Sequence, residues 1–296
     1  MIYAYIAGVF IMSVLLATII IPRILFISYK KRLFDIPDNR KVHQTPVPRL
    51  GGLSFLPVIL ISLCTITGIR YFMNHPVDIL WASSLFIQYL FFVVGLTLLY
   101  LIGVADDLVG VGYRYKFVVQ FLAACLFPLS GLWINDLGGL IGLHEIPAYL
   151  GMPLTVFLTV YITNAINLID GIDGLASGLS CIALGLLIIV CVLVNQWTHA
   201  LLAVATLGVV MTFYYYNVFS VSGKKLFMGD AGSLTLGYVL SFLLLHFWQK
   251  TPLWNPFTMN LNMVTLSTLL IPMLDVIRVF YSRVREGRNP FNPDKN

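Results

Sequence analysis

Long apolar runs alternate with short polar breaks along the whole chain. Runs of about 20 residues, the length that crosses a hydrocarbon core as a helix, fall near 3–27, 51–69, 82–104, 117–133, 148–168, 175–194, 198–217, 233–249 and 263–281. Each such segment must satisfy its backbone polar groups internally, which a helix does. The expected fold is therefore all-α: a polytopic membrane helix bundle with about nine transmembrane helices. No repeat, low-complexity tract or linker divides it, so residues 1–296 read as a single integral membrane domain.

The breaks set an orientation. No Lys or Arg precedes the first run, which is too long for a signal-peptide core and has Lys30, Lys31 and Arg32 behind it. A retained first helix with its N-terminus outside puts the C-terminus inside after nine crossings. Of the 18 Lys and Arg residues, only Arg70 and Lys250 then lie outside, the bias that the positive-inside rule requires.

Composition agrees. A chain that is 59% hydrophobic and 10% charged is not an ordinary water-soluble globule. The net charge of +5 follows from the topology and calls for no nucleic-acid partner, while a basic inner face suits anionic headgroups or phosphorylated substrates. Cys64, Cys125, Cys181 and Cys191 fall inside runs without CxxC spacing and read as small apolar side chains.

The acids are the second asymmetry. Asp78, Asp136 and Glu145 map outside; the other ten map inside or to inner helix ends, in several separate segments. In GVADDLVG, Asp106 and Asp107 follow an apolar run. They read either as a solvated helix end or as an adjacent pair that perturbs each other's ionisation and suits a hard cation or a base role. In NAINLIDGIDGLASG, Asn164 and Asn167, and again Asp170 and Asp173, are spaced i, i+3, which shares a face if the segment is helical. Gly171, Gly174 and Gly178 let backbone approach a ligand closely. Two carboxylates cost about 2.5–3.5 kcal/mol each at mid-membrane and much less at the surface; close helix packing with snorkelling acids is the ordinary alternative.

KKLFMGDAGSLTLG places Asp230 between small residues at a predicted helix start. Asp230 and Ser233 suit a helix N-cap; a Gly-flanked Asp there also suits Mg²⁺ beside a phosphate facing backbone N–H groups. Phe227 reads as packing or as a surface for a base. The first inner loop, DIPDNRKVHQTPVPRLGGL, holds Arg40, Lys41, His43 and Arg49 between stiffening prolines. Near the C-terminus, Asp275 and Arg278 form an i, i+3 ion pair, and Arg283, Arg285 and Arg288 could clamp phosphate. His75, His144, His199 and His246 map to the outer side.

NAINLIDGIDGLASG with ADDLVG, FMGDAGSL and RKVHQTPVPRLGG resembles the polyprenyl-phosphate N-acetylhexosamine-1-phosphate transferases, in the right order from about residue 35 to the end. The tail GRNPFNPDKN is most similar to the undecaprenyl-phosphate N-acetylglucosamine-1-phosphate transferase branch, and TPVPRLGG replaces the TPTMGG of the phospho-MurNAc-pentapeptide branch. The family pattern continues past PDKN with an HxHH-like cluster, so a C-terminally truncated chain is expected.

That resemblance implies transfer of N-acetylglucosamine 1-phosphate from UDP-GlcNAc to undecaprenyl phosphate, giving undecaprenyl-diphospho-GlcNAc and UMP, with Mg²⁺ or Mn²⁺. This is the first lipid-linked step of a surface polymer such as lipopolysaccharide O-antigen or a teichoic-acid linkage unit. It implies Asp230 as metal ligand, Asp106 and Asp107 near the reacting phosphates with Asn164 and Lys116, and Asn167, Asp170, Asp173, Phe227, Lys41, His43 and Arg288 at the substrate. The expected partners are a UDP-N-acetylhexosamine, undecaprenyl phosphate, the bilayer and a second copy of the chain. The expected place is the bacterial inner membrane, with the site on its cytoplasmic face.

Phosphoryl transfer needs alignment and neutralisation of developing charge, which carboxylate-held metal and cationic side chains supply. Another UDP-N-acetylhexosamine, including UDP-MurNAc-pentapeptide, is the alternative donor. Asp170–Gly174 also meets the DxxDG part of a CDP-alcohol phosphatidyltransferase motif, but the next helix lacks that motif's later acids. A transporter would spread its carboxylates across the bilayer rather than gather them on one side.

Overall fold

The computed structural model describes residues 2–31, 33, 47–73, 83–137, 145–220, 225–249 and 261–287. Their regular structure is helical: α1 (Ile2–Lys31), a 3₁₀ turn (Gly51–Ser54), α2 (Phe55–Phe72), α3 (Ser83–Val109), α4 (Tyr113–Leu129), α5 (Ala148–Ile169), α6 (Leu175–Leu193), α7 (Trp197–Val218), α8 (Gly229–Phe247), α9 (Leu261–Ser267) and α10 (Leu270–Arg285). Seven of these segments, α1, the 3₁₀ turn with α2, α3, α5, α6, α7 and α8, are long and apolar enough to cross a membrane. The eighth predicted run, 233–249, is α8, which starts four residues earlier, at Gly229.

The predicted run 263–281 is divided into α9 and α10 at Thr268–Leu269. Pro272, in the first turn of α10, explains the break: its ring clashes with the carbonyl four residues back and it has no N–H to continue the ladder.

α8 is the axis of the bundle. Every one of its residues is buried except Asp230, and it packs against α3 and α5 most extensively. Its small residues allow this, as helices in lipid associate by close packing rather than by hydrophobic exclusion. Tyr238 of α8 stacks on Phe127 of α4 with ring centroids 4.6 Å apart, and its hydroxyl donates to the Ala123 carbonyl at 3.0 Å. Phe242, one turn on, stacks on Phe92 of α3 at 4.3 Å. These ring pairs join three helices, each worth about 0.5–1.5 kcal/mol beyond the area it buries.

Hydroxyls within the spans are satisfied locally. Thr155, Thr159 and Thr163 of α5 each donate to the carbonyl four residues back at 2.7–2.8 Å, which removes the cost of an unpaired polar group. Cys191 is buried, Cys125 and Cys181 half-buried and Cys64 exposed, all as free thiols.

The antiparallel course brings one set of ends together: the C-terminal ends of α3, α5 and α7 and the N-terminal ends of α4, α6 and α8. Asp106, Asp107, Asp170, Asp173 and Asp230 are all at that end. Asp136, Glu145, His199 and His246 are at the other, the separation that the sequence predicts.

Candidate active site

Two loops form the floor of the charged end. Residues 48–52 run beside 227–228: the Phe227 N–H donates to the Pro48 carbonyl at 2.9 Å, and the Gly51 and Gly52 N–H groups donate to the Phe227 and Met228 carbonyls at 2.9 and 2.7 Å. A Cβ on Gly52 would overlap the backbone of Gly232 in α8. Only glycine permits this approach, which fixes the loop bearing Phe227 against the start of α8.

α8 begins at Gly229, whose φ of +72° turns the chain into the helix. Neither Asp230 nor Ser233 caps it: no side chain at its own N-terminus does so, and Ser233 donates to the Gly229 carbonyl at 3.0 Å. The cap comes from α3. Asp107 accepts the Asp230 N–H at 2.8 Å with one carboxylate oxygen and the Ala231 N–H at 3.0 Å with the other. A carboxylate on the first amides of a helix satisfies both the orphan donors and the positive end of the dipole. Those N–H groups are thus already engaged and do not form an open phosphate cradle, which corrects one expectation for this turn.

With its backbone held, Asp230 projects its carboxylate outward. Lys116 of α4 donates to Asp230 at 2.6 Å and to Asp106 at 3.2 Å. Asn167 of α5 donates to Asp230 at 3.1 Å and to the Ser233 hydroxyl at 2.8 Å. Asp106 also accepts the Val111 N–H at 2.7 Å, closing the turn between α3 and α4. Asp106, Lys116, Asn167 and Asp230 therefore form one connected group.

Asp170 stands just past the end of α5. Burial pushes its carboxyl well above the usual carboxylate range, and the charges of Asp230 and Asp107 push it further; the Arg49 charge and the Gly229 N–H oppose the rise. Asp106, Asp107, Asp170 and Asp230 thus concentrate negative charge around Lys116 and Arg49. The Lys116 ammonium lies between two carboxylates, a place that fits a hard divalent cation with oxygen ligands. Among the described residues no three Asp, Glu, His or Cys side chains form a complete metal cage. A cation held here would have to keep several waters or take ligands from a bound molecule, as Mg²⁺ commonly does.

Asp170 and Asp173 do not share a face. The helix ends at Ile169 and residues 170–174 form turns, so the i, i+3 rule no longer applies. Asp173 instead pairs with Lys225. The two loops carrying this pair are tied by Asn217 of α7: it accepts the Gly174 N–H at 2.6 Å and donates to the Leu226 carbonyl at 2.9 Å. Phe227 is half-buried on the same segment.

Asn164 is one turn deeper than Asn167 and donates to Gln120 of α4 at 2.6 Å and to the Val160 carbonyl at 2.8 Å. It supports the α4–α5 contact and is bonded to neither Lys116 nor Asp230. Lys41, His43 and Arg288 lie outside the described residues. The ion pair of Asp275 with Arg278 forms as its spacing predicts, at 2.7 Å.

Lys225, Asn217 and Gln120 are the residues that sequence reasoning missed. Each had a weak signal: Lys225 is two residues before Phe227, Asn217 ends an apolar run, and Gln120 interrupts one.

An apolar groove of about 580 Å³ lies between α4 and α5 on their half away from the charged end, lined by residues including Phe121, Cys125, Leu129, Met152, Val156 and Val160. Its Phe121 and Val160 are next to, or one turn from, the Gln120–Asn164 contact. The inner end of the groove thus lies about 8–10 Å along these helices from Lys116 and Asn167.

Residues 89–247 match the sequence model of the family described as glycosyl transferase family 4. The chain is 30% identical over 275 residues to the undecaprenyl-phosphate alpha-N-acetylglucosaminyl 1-phosphate transferase of Yersinia pestis, covering 91% of this chain and 69% of that protein. It is 31% identical over 291 residues to the probable undecaprenyl-phosphate N-acetylglucosaminyl 1-phosphate transferase of Bacillus subtilis (strain 168), covering 97% and 74%. The Escherichia coli (strain K12) protein named like that of Yersinia pestis is 29% identical over 275 residues, covering 91% and 68%.

Proposed function

This chain belongs to glycosyl transferase family 4, and on that premise we propose that it transfers N-acetylglucosamine 1-phosphate from UDP-N-acetylglucosamine to undecaprenyl phosphate, releasing UMP. The observation that carries this reading is the Asp106–Lys116–Asp230–Asn167 group at one end of the bundle, from which the apolar groove between α4 and α5 runs toward the other end. One reactant is a polar nucleotide and the other a phosphate on a long hydrocarbon chain. A site for both must be ionic on one side and apolar on the other.

In this mechanism an oxygen of the lipid phosphate attacks the β-phosphorus of the donor, the bond from that phosphorus to the bridging oxygen breaks, and UMP leaves with the electron pair. Asp106 takes the proton of a singly protonated lipid phosphate. Lys116, already between Asp106 and Asp230, counters the charge of the incoming phosphates. Asn167 holds Asp230 in its outward rotamer. Mg²⁺, held by Asp230, would neutralise the diphosphate. Alignment and charge neutralisation are the main demands of phosphoryl transfer.

The reading places the site on the cytoplasmic face of a bacterial inner membrane. Lys116, Lys225, Arg49 and Arg114 at that end support it. Gathering of the acids at one end of the bundle disfavours a transporter, which needs them along a path across it.

The test is release of UMP by the purified full chain given UDP-GlcNAc, undecaprenyl phosphate and Mg²⁺. UDP-N-acetylgalactosamine and UDP-MurNAc-pentapeptide serve as alternative donors. Absence of UMP release with every UDP-N-acetylhexosamine sinks the proposal. A sugar phosphate trapped covalently on Asp106 or Asp107 without acceptor would replace direct attack by a two-step route.

A further inference from the structure

Among the described residues nine buried side-chain polar atoms lack a hydrogen-bond partner, and six of them belong to Gln88, Tyr89, His199, His246 and Trp248, at the end of the bundle opposite the acids. Each such atom is costly, so a group of them calls for a common partner. His199 is in the first turn of α7 and His246 in the last turn of α8. Their rings stack with centroids 3.6 Å apart and planes 21° apart, and the Tyr89 ring of α3 packs on His199 at 5.5 Å. Both nitrogens of His199, Nδ1 of His246 and the Tyr89 hydroxyl are among the unpaired atoms. We propose that His199 and His246, with Tyr89, form a metal site for a divalent d-block cation such as Zn²⁺, separate from the acidic group at the other end of the bundle.

The donor atoms select the ion. Imidazole nitrogen suits Zn²⁺, Cu²⁺ and Ni²⁺, whereas Mg²⁺ takes oxygen ligands, so the two ends of the bundle hold different cations. Two nitrogens on one tetrahedral Zn²⁺, each at 2.0–2.1 Å, lie about 3.3 Å apart, close to the spacing of these rings. Rotation about the two Cβ–Cγ bonds opens the angle between the planes and turns both lone pairs onto one ion. Tyr89 supplies an oxygen and water completes the shell, with Gln88 Oε1 as an acceptor and the Trp248 indole N–H as a donor left for that water. One cation thereby takes an unpaired nitrogen from each ring at once. It ties α3, α7 and α8 together at the end of the axis helix remote from Asp230, so its effect is on stability rather than on transfer.

The experiment titrates Zn²⁺ into the purified full chain in detergent, stripped with chelator and free of any histidine tag, and follows binding by calorimetry and unfolding by thermal melt. Wild type should bind Zn²⁺, and its melting temperature should rise by about 5 °C at a Zn²⁺ concentration about a hundredfold above the dissociation constant. His199→Leu, which in chelator should melt no lower than wild type, should lose most of that rise, and so should His246→Leu. Asp230→Asn, which alters only the acidic end, should keep it. A wild type whose melting temperature does not respond to Zn²⁺ overturns the proposal and leaves buried water as the partner of these atoms. A rise that survives both histidine variants overturns it too, and its loss in Asp230→Asn would then place the ion among the acids.

Discussion

Asp107→Ala removes a carboxylate that two backbone N–H groups share, at 2.8 and 3.0 Å. Hydrogen bonds to a charged group contribute about 1.5–3 kcal/mol each, whereas loss of an ordinary N-cap costs about 0.5–2 kcal/mol. Ala231 is fully buried, so water cannot readily replace the lost acceptor. Against this, Asp107 adds to the repulsion on Asp170, and its removal relieves that term. A net loss of about 2–3 kcal/mol is therefore expected for Ala and about half for Asn, which keeps one acceptor oxygen.

At about 2 °C per kcal/mol for a chain of this size, the melting temperature should fall by about 4–6 °C for Ala and 2–3 °C for Asn. Transfer should fall in the same order, because Asp230 leaves its bonds to Lys116 and Asn167 when the first turn of α8 loosens. Thermal unfolding in detergent and UMP release measure the two effects on the same preparations. If Asp107→Ala melted like wild type while transfer collapsed, the carboxylate would be acting on substrate and the capping argument would be wrong.

Asp170→Asn should stabilise the protein at pH 7 without divalent cation while lowering transfer. The folded-state pKa is raised, so the carboxyl costs stability once the pH exceeds its unfolded value of about 3.9; the gain should shrink toward pH 4, and a lower melting temperature for Asn at pH 7 would refute it. At the opposite end, His199 and His246 stack with centroids 3.6 Å apart, and both His199 nitrogens lack a partner among the described residues. His199→Leu should raise stability by about 1–3 kcal/mol in a thermal melt, since an unpaired buried polar group costs that much. Gly52→Ala should cost about 1–3 kcal/mol by overpacking against Gly232 and should reduce UMP release at least tenfold, because the displaced strand also holds Phe227; wild-type activity in a folded Gly52→Ala protein would show that the loop contact is dispensable.

The helices and the gathering of the acids were legible because both rest on periodicity and parity. A run of about 20 apolar residues has one solution in lipid, and successive crossings alternate sides, so motifs far apart in sequence fall at one end together. Division of labour among the carboxylates has no such local code. Asp106 and Asp107 are neighbours with identical chemistry, yet one bonds Lys116 and the other caps α8, 123 residues away. Helical direction separates them, since adjacent residues point about 100° apart, and only the packing of α3 on α8 decides which direction meets the amides. The same limit explains Asp170 and Asp173, whose spacing would align them on a helix that in fact ends at Ile169. Two acidic pairs therefore each divide into one residue that faces the Asp230 group and one that acts elsewhere: Asp107 on a helix terminus, Asp173 on Lys225. If Asp107 is a scaffold and Asp106 is not, Asp107→Asn should retain far more transfer than Asp106→Asn, despite the equal loss of charge.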